Sequence, residues 1–341
     1  MKLHVLGFPG KVGGASTELW HTLRLWRAGG AEVTLTPTWA AAEPWASMVE
    51  GIGCRVEQTT ITGFRPEAGT VVIGFCNGQF WPAMKRLKRR GENPTVWVPC
   101  MNWLSDVECR RYAQGILPDR IVCQSRHQMG VLAAELERFS LSDRLTRIRG
   151  AFDVSLYEPR KSAAAPGRAT EFVIGRISRP DPAKFQPDLW DVLEAVRSRL
   201  DRPVRARVLG WKPLMARKLG EPPGWVECLE PGSVDAAEFL GSLDVLYQSG
   251  RADENWPRVG LEAMASGVPI VADNRAGWRE MCGGGLAHLV DDGAAAVDAI
   301  IGVATRPQTQ MIGRARHAVE TSHGNEGLWD QWKTLFEAIR K

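Results

Sequence analysis

The sequence predicts an α/β protein of two similar domains, each built on a doubly wound parallel sheet. Three observations predict this class. Short apolar runs bounded by turn residues alternate with helical patterns of about 10–15 residues along the first half. Residues 153–168 then have linker composition, with two prolines and a run of alanines. The alternation starts again at residue 172, and a chain of 341 residues fits two domains better than one.

The first half predicts five strands and two well-marked helices. Apolar residues at helical spacing predict a helix over 15–26, and Ser125 with Gln128 forms a capping-box pattern that opens a helix over 126–139. The predicted strands are continuous apolar runs, as expected for strands buried on both faces of a parallel sheet. They lie at 3–7, 32–35, 71–75, 95–98 and 120–123.

The second half repeats the pattern and ends in an amphipathic helix. Predicted strands lie at 172–175, 205–210, 245–248 and 269–272, and predicted helices at 189–200, 235–243 and 261–266. We therefore expect a first domain over 1–155, a second over 156–324, and a C-terminal helix over 325–341 that packs back on the first. Two such sheets that face each other enclose a cleft, and open parallel sheets bind ligands beyond the carboxyl ends of their strands.

Composition excludes several classes of protein. With 44% hydrophobic and 24% charged residues, the chain is globular rather than disordered. The net charge of +4 comes from residues 1–155, which carry 19 basic and 14 acidic residues, against 24 and 25 in the remainder. No apolar run approaches the length of about 20 residues that a membrane span needs. The seven cysteines show no CxxC pair, which predicts reduced thiols in a cytoplasmic protein rather than a zinc site.

Two loops have the character of phosphate sites. Gly13 and Gly14 follow the first strand and open the first helix, where backbone N–H groups and the helix dipole favour an anion; Lys11 precedes them. Arg176, Arg179 and Lys184 follow the first strand of the second half, and cations at such a position suit a diphosphate. The alternatives are a plain glycine loop and a solvated basic loop.

The strongest local pattern lies at 254–269. Glu254 precedes a helix, and Glu262 lies eight positions later inside it, among small apolar residues that favour close packing on a sheet. A carboxylate near a helix N-terminus stays ionised and accepts hydrogen bonds from ribose hydroxyls.

This segment resembles the E-x7-E motif of retaining glycosyltransferases of the family-4 type (glycosyl transferases group 1), which have the GT-B fold. Other segments resemble the family in the same order along the chain. They are Gly13-Gly14, the run 149–153, Gly175-Arg176 with Lys184, and Gly277 with Glu280.

The resemblance implies two facing Rossmann-like domains and a role for each matching residue. Arg176 and Lys184 would bind the donor diphosphate, with help from Arg179. Glu254 would contact the transferred sugar, and Glu262 the ribose. The remaining donor contacts implied are Gly13, Gly14, Asn255, Trp256, Pro257, Val259 and Gly260. Such enzymes use no metal ion and no other cofactor, because the cations do that work.

On the acceptor side the sequence offers weaker candidates. The family often has a histidine after the fourth strand, whereas here residues 98–103 contain none. Asn102 and Asp106 are the candidates in its place, His127 begins a helix after a strand, and Lys11 precedes the glycine loop. Each has a plain-loop alternative.

The predicted function is transfer of a sugar, hexosyl or related, from a nucleotide-diphosphate sugar to an acceptor hydroxyl. Alternatives are a sugar-nucleotide epimerase of the same fold and a non-catalytic protein that kept the fold. The acceptor is a small molecule or glycan, a membrane lipid, or a modified nucleic-acid base. A basic helix suits a membrane lipid or a nucleic-acid base as acceptor, and it also suits contact with the periphery of a membrane. The plain alternative is a solvated helix face. Its cations are Lys85, Arg86, Lys88, Arg89 and Arg90.

Overall fold

A computed structural model describes residues 1–7, 13–37, 45–58, 63–159 and 171–340. The chain folds as two units. The first unit comprises Met1–Phe152 and Asn325–Lys341, and the second Asp153–Gly324. The C-terminal segment is thus part of the first unit, and the chain passes from the first unit to the second between Phe152 and Asp153.

The first unit is built on a parallel sheet, which among the described residues has seven strands in the order β3-β2-β1-β4-β5-β6-β7. The central strand β4 is buried at all five of its residues, which explains its continuous apolar sequence. The strands are β1 Lys2–Leu6, β2 Glu32–Thr36, β3 Arg55–Val56, β4 Val71–Phe75, β5 Thr95–Val98, β6 Arg120–Cys123 and β7 Leu145–Arg147.

Helices cover this sheet, and the C-terminal helix α13 (Leu328–Ile339) is one of them. Its Trp332 and Phe336 pack against Trp26 in the core, with the rings of Trp26 and Trp332 edge to face at 5.2 Å. The indole of Trp329 lies so close to Gly29 that a Cβ there would be 2.4 Å from the ring. The other helices are α1 Gly14–Ala28, α2 Trp45–Gly51, α3 Phe80–Arg90, α4 Asp106–Ala113 and α5 Arg126–Glu137.

The second unit has a parallel sheet of six described strands, in the order β10-β9-β8-β11-β12-β13. Its strands are β8 Phe172–Ile177, β9 Val204–Leu209, β10 Val226–Leu229, β11 Val245–Gln248, β12 Ile270–Asp273 and β13 His288–Val290. Its helices are α6 Leu189–Arg199, α7 Ala216–Leu219, α8 Ala236–Gly241, α9 Arg258–Ala265, α10 Ala276–Cys282, α11 Gly293–Thr305 and α12 Thr309–Glu320. No helix in the described part of either unit has the length and apolar character to cross a bilayer.

The predicted strands all occur, but the sheet edges carry strands that the apolar pattern did not predict. β3, β7, β10 and β13 have only two to four residues and are partly exposed, so they lack a continuous apolar run. The helix expected over 261–266 begins earlier, at Arg258, directly after Pro257 as its N-cap. This earlier start puts the first turn of α9 next to Glu254.

Candidate active site at the strand ends of the second unit

The sequence-predicted donor residues of the second unit gather at the carboxyl ends of three neighbouring strands. Arg176 lies near the end of β8, and a short 3₁₀ helix, Pro182–Lys184, follows it. The loop that carries Glu254 follows β11, and Arg275 follows β12. Because β8, β11 and β12 are adjacent and parallel, these segments meet at one edge of the sheet, where such sheets bind ligands.

The two loops after β8 and β11 meet through one ion pair and a close backbone approach. Lys184 Nζ donates to Glu254 Oε1 at 2.9 Å, with the two side chains 19% and 32% exposed. Below this pair, Ala252 N donates to Ala183 O at 2.9 Å. A Cβ on Gly250 would lie 2.6 Å from Lys184 O, so the approach requires glycine at that position.

Arg176 lies beneath the Lys184 loop, with only 3% of its surface exposed. Its guanidinium donates to the carbonyl oxygens of Lys184 and Tyr247, and it stacks 4.4 Å over the ring of Phe185. Burial lowers the pKa of Arg176 to about 10, so it stays charged at neutral pH. It therefore places a buried positive charge behind Lys184 and fixes the backbone of the loop.

Arg179 is the third predicted cation of the loop and is the most exposed of the three. Its Nη2 lies 4.0 Å from Asp181 Oδ2, and its side chain is 49% exposed. Asp181 in turn accepts from Ala183 N at 3.0 Å and caps the 3₁₀ helix. Arg179 is thus an exposed charge on the surface of the loop.

The segment between Glu254 and α9 is held by its backbone. Gly277 N donates to Glu254 O at 2.8 Å, and a Cβ on Gly277 would lie 2.0 Å from Asn255 O. Asn255 and Trp256 are both 7% exposed.

In α9, Val259 is half-buried and Gly260 lies against Trp278, where a Cβ would be 2.8 Å from the indole. No side chain in the described residues caps the first turn of α9. The first turn of α9, which begins shortly after Glu254 in the chain, therefore carries the positive end of the helix dipole on its N–H groups.

Glu262 lies inside α9 and is 6% exposed. Burial raises the pKa of its carboxyl, and the positive charge of Arg258 and a hydrogen bond from the Tyr157 hydroxyl oppose that rise. Burial also raises the pKa of Tyr157, which therefore stays protonated and donates to Glu262. Arg316 of α12 donates to Tyr157 O at 3.1 Å and holds this segment against α9.

Arg275 connects the strand-end loops from the start of α10. It donates to Asp253 Oδ1 at 2.8 Å, to Arg251 O at 3.2 Å, and to the carbonyl of Gly250. Asp273 accepts from Ser249 Oγ at 2.5 Å and from Gly250 N at 3.0 Å on the same loop. The loop that carries Glu254 is thereby fixed at several points from β12 and α10.

The site combines a loop cation, Lys184, with a loop carboxylate, Glu254, and a carboxylate inside the next helix, Glu262. All three lie in a part of the chain that matches a known family. Residues 170–306 match the family model for glycosyl transferases group 1. Most of the second unit is therefore similar to a group 1 glycosyl transferase domain. Together with the fold of the whole chain, this match makes the protein a glycosyltransferase.

Solved structures of GT-B glycosyltransferases match the chain over almost its whole length. HepE from Anabaena, in complex with UDP-glucose, has a TM-score of 0.75 at 18% identity and covers 99% of this chain and 100% of that one. A TarM mutant from S. aureus, in complex with fondaparinux, alpha-GlcNAc-glycerol and UDP, scores 0.77 at 11% identity, over 98% and 100% of the two chains. Sucrose-phosphate synthase from Thermosynechococcus elongatus scores 0.68 at 15%, over 99% of each. A search of curated proteins finds no significant match. The fold is therefore GT-B.

The site candidates in the first unit lie at the ends of its own strands. Gly13 has φ 130°, a backbone that favours glycine, and Gly13 O accepts from the first turn of α1. Asn102 follows β5 and is half-buried, Asp106 begins α4 and is exposed, and His127 lies half-buried at the start of α5. Gly14 begins α1. The predicted residue Lys11 lies outside the described residues.

Two residues of the candidate site were not identified from the sequence. Tyr157 lies in a segment with linker composition, and its partner Glu262 is more than 100 residues away. Arg275 bonds mainly to backbone carbonyls and to carboxylates of the preceding loop. The one sequence signal for Arg275 was its position between the strand predicted over 269–272 and the family-like pair Gly277 and Glu280.

Proposed function

We propose that the protein is a retaining glycosyltransferase that moves a sugar from a nucleotide-diphosphate sugar to an acceptor hydroxyl without a metal ion. The single observation that carries this proposal is the 2.9 Å pair of Lys184 and Glu254, held over the buried Arg176 shortly before the start of α9. A cation, a helix N-terminus and a carboxylate at one point suit a diphosphate joined to a hydroxylated ring.

The diphosphate would lie against Lys184 and the open first turn of α9, with Arg176 adding a buried positive charge and Arg179 a flexible one. Negative charge develops on the leaving diphosphate in the transition state, and fixed cations and backbone N–H groups stabilise it. This is the work that a metal ion performs in other phosphate sites, so we expect activity without one.

Glu254 would accept hydrogen bonds from hydroxyls of the transferred sugar, and Glu262 from those of the ribose. HepE and TarM were solved with UDP-glucose and with UDP, respectively, which makes UDP-sugars the first donors to try. Since the Tyr157 hydroxyl already bonds to Glu262, the ribose would share this carboxylate with Tyr157 or displace it.

Retention of configuration would follow from attack on the face that the diphosphate leaves. The bond from the anomeric carbon to the phosphate oxygen breaks, and its electron pair goes to the diphosphate. The acceptor oxygen bonds to the same face of the carbon, and its proton passes to a phosphate oxygen. No protein nucleophile takes part in this scheme, and Glu254 orients the sugar.

Three classes of acceptor were named above: a small molecule or glycan, a membrane lipid, and a nucleic-acid base. The charges of α3 help to choose among them. Lys88 pairs with Asp119 and Arg90 with Glu92, each at 2.6 Å. Arg86 donates to Phe64 O at 2.9 Å. The remaining exposed cations of the basic run are Lys85 and Arg89. Because much of the run is paired, a small molecule or glycan is the acceptor we favour over a lipid surface or nucleic acid.

The test is release of nucleotide diphosphate from a panel of nucleotide sugars, with broad acceptor mixtures and with or without chelator. We expect release from at least one donor, unchanged by EDTA, and a product whose anomeric configuration by NMR matches that of the donor. Release that needs a divalent ion, or an inverted product, would overturn the corresponding part of the proposal. An altered donor sugar without an acceptor product would favour the epimerase.

A further inference from the structure

Two cysteines of the first unit lie side by side at the edge of its sheet. Cys76 directly follows β4, and Cys100 follows β5, the neighbouring strand. Cys76 N donates to Val98 O at 2.9 Å, and the strand register pairs Phe75 with Val98, so its continuation puts Cys76 opposite Pro99 and Cys100 one residue further along the neighbouring chain segment. Neighbouring strands lie about 4.8 Å apart, and disulfides join Cα atoms separated by about 4.4–6.8 Å. The backbone positions are therefore compatible with a bond between the two sulfurs.

The contacts of the sulfur atoms distinguish the two thiols. The Cys100 thiol lies beside the Cys76 sulfur, and Gln124 Nε2 lies 3.6 Å from the Cys100 sulfur. Both cysteines are half-buried, so each residue keeps part of its surface exposed. Cys76 also has φ 47°, a left-handed backbone that is uncommon outside glycine and that tends to occur at functional sites.

Thiolate formation is favoured at Cys76 and opposed at several other cysteines. The hydrogen bonds from Cys100 lower the pKa of Cys76 although burial opposes them, and the same contact raises the pKa of Cys100. Burial raises the pKa of Cys54 and Cys228 to about 11. The pKa of Cys123 is raised to about 12 by burial. Since the thiolate is the reactive form, oxidation should start at Cys76.

We propose that Cys76 and Cys100 form a peroxide-responsive thiol–disulfide pair, in which Cys76 reacts first and Cys100 resolves the product. The Cys76 thiolate attacks a peroxide oxygen, the O–O bond breaks, and with one proton the products are a Cys76 sulfenic acid and water. The Cys100 thiol then attacks the Cys76 sulfur, and the second oxygen leaves as water. The balance is two thiols and one hydrogen peroxide giving one disulfide and two waters.

The test uses the full chain and equimolar hydrogen peroxide, followed by alkylation and peptide mapping without reduction. We expect the protein to lose two of its seven thiols, with a peptide linked through Cys76 and Cys100 that dithiothreitol separates again. In Cys100→Ser, Cys76 should remain as a sulfenic acid that dimedone traps. The matched control is Cys228→Ser, which removes one half-buried thiol of the second unit and should form the same linked peptide.

A second measurement does not depend on the folding of any variant. In the unmodified chain at pH 7, iodoacetamide should alkylate Cys76 at least about ten times faster than Cys228, because the rate follows the fraction of thiolate. Equal rates at the two positions would overturn the proposed reactivity of Cys76. Oxidation spread over several cysteines, with no linked peptide, would overturn the pairing with Cys100.

Discussion

Lys184 and Glu254 pair at 2.9 Å across two loops that are 70 residues apart in sequence, and Arg176 holds the backbone of the first of them from below. Both charges are thus oriented before any donor arrives. In the proposed reaction, a diphosphate that binds to Lys184 would compete with Glu254 for the ammonium group and free the carboxylate to accept from sugar hydroxyls. The proposal therefore couples binding of the phosphate to orientation of the sugar.

The first prediction follows from that coupling. Lys184→Ala or Glu254→Gln should each lower the turnover number for nucleotide diphosphate release by at least about 100-fold, as expected for the loss of a group that stabilises developing charge. The double variant should lose little more than either single variant, because the two groups act as a unit. Steady-state kinetics of the three variants provides the measurement.

Lys218→Ala is the matched control for Lys184, because Lys218 is an exposed lysine of α7 in the same unit. Its turnover should stay within about twofold of the unmodified enzyme. If Lys184→Ala retains full turnover, then the assignment of Lys184 to the diphosphate is wrong.

The second prediction concerns Arg275. Arg275→Gln removes the bonds to Asp253 and to two carbonyls of the Glu254 loop, so the loop should become looser while the sheet stays intact. We expect the turnover number to fall about tenfold, with the melting temperature changed by only a few degrees. Arg279→Gln is the control, since Arg279 lies on α10 and its guanidinium donates to the side chain and the carbonyl of Asn274. Equal loss in both variants would contradict a specific role for Arg275.

Part of this site could be predicted from the sequence because its parts are contiguous. Glu254 and Glu262 are separated by eight positions in a segment of uniform character, and Arg176 and Lys184 share one loop after one strand. Buried parallel strands such as β4 can also be recognised in the sequence, because both of their faces are buried and the run of apolar residues is continuous. Local patterns of this kind carry both the chemistry and the fold class.

The rest could not be predicted because it depends on contacts between distant segments. The pairing of Lys184 with Glu254 needs β8 and β11 to be neighbours, which the strand order decides. Arg275 bonds to backbone carbonyls, and since every residue has one, the sequence does not indicate which of them are its partners. Edge strands such as β13 are short and half-exposed, so they show no apolar run. Arg176 has the residue type of a phosphate ligand, yet its burial beneath the loop comes from packing against Phe185.

The third prediction concerns Gly277. A Cβ there would lie 2.0 Å from Asn255 O and 2.7 Å from Glu254 O. Both are backbone atoms, so no side-chain rotation can relieve the clash. Gly277→Ala should therefore displace the Glu254 loop, lower turnover, and cost about 1–3 kcal/mol of stability. In Gly313→Ala nothing lies within 4 Å of the new Cβ, and alanine in α12 should add about 0.5–1 kcal/mol. Urea unfolding and turnover of both variants test the contrast, and equal effects would contradict the steric argument.

The fourth prediction concerns pH and the buried His4 of β1. Its Nε2 hydrogen-bonds to Thr36 Oγ1 at 2.8 Å, its ring packs edge to face on Phe64, and burial with the nearby charge of Arg55 lowers its pKa from 6.5 to about 4. Between these values the unfolded chain binds a proton that the folded chain does not. Stability is therefore complete above pH 6.5 and declines as the pH falls toward 4, by about 2 kcal/mol at pH 5.

The measurement compares urea unfolding at pH 7 and pH 5 for the unmodified chain and for His4→Asn. The variant lacks the titrating ring, so it should be less stable at pH 7 but lose about 2 kcal/mol less between the two pH values. The difference between the two chains isolates His4, because every other group titrates equally in both. If the unmodified chain and His4→Asn lose the same stability on acidification, then the His4 ring is protonated in the folded protein and its burial does not depress its pKa.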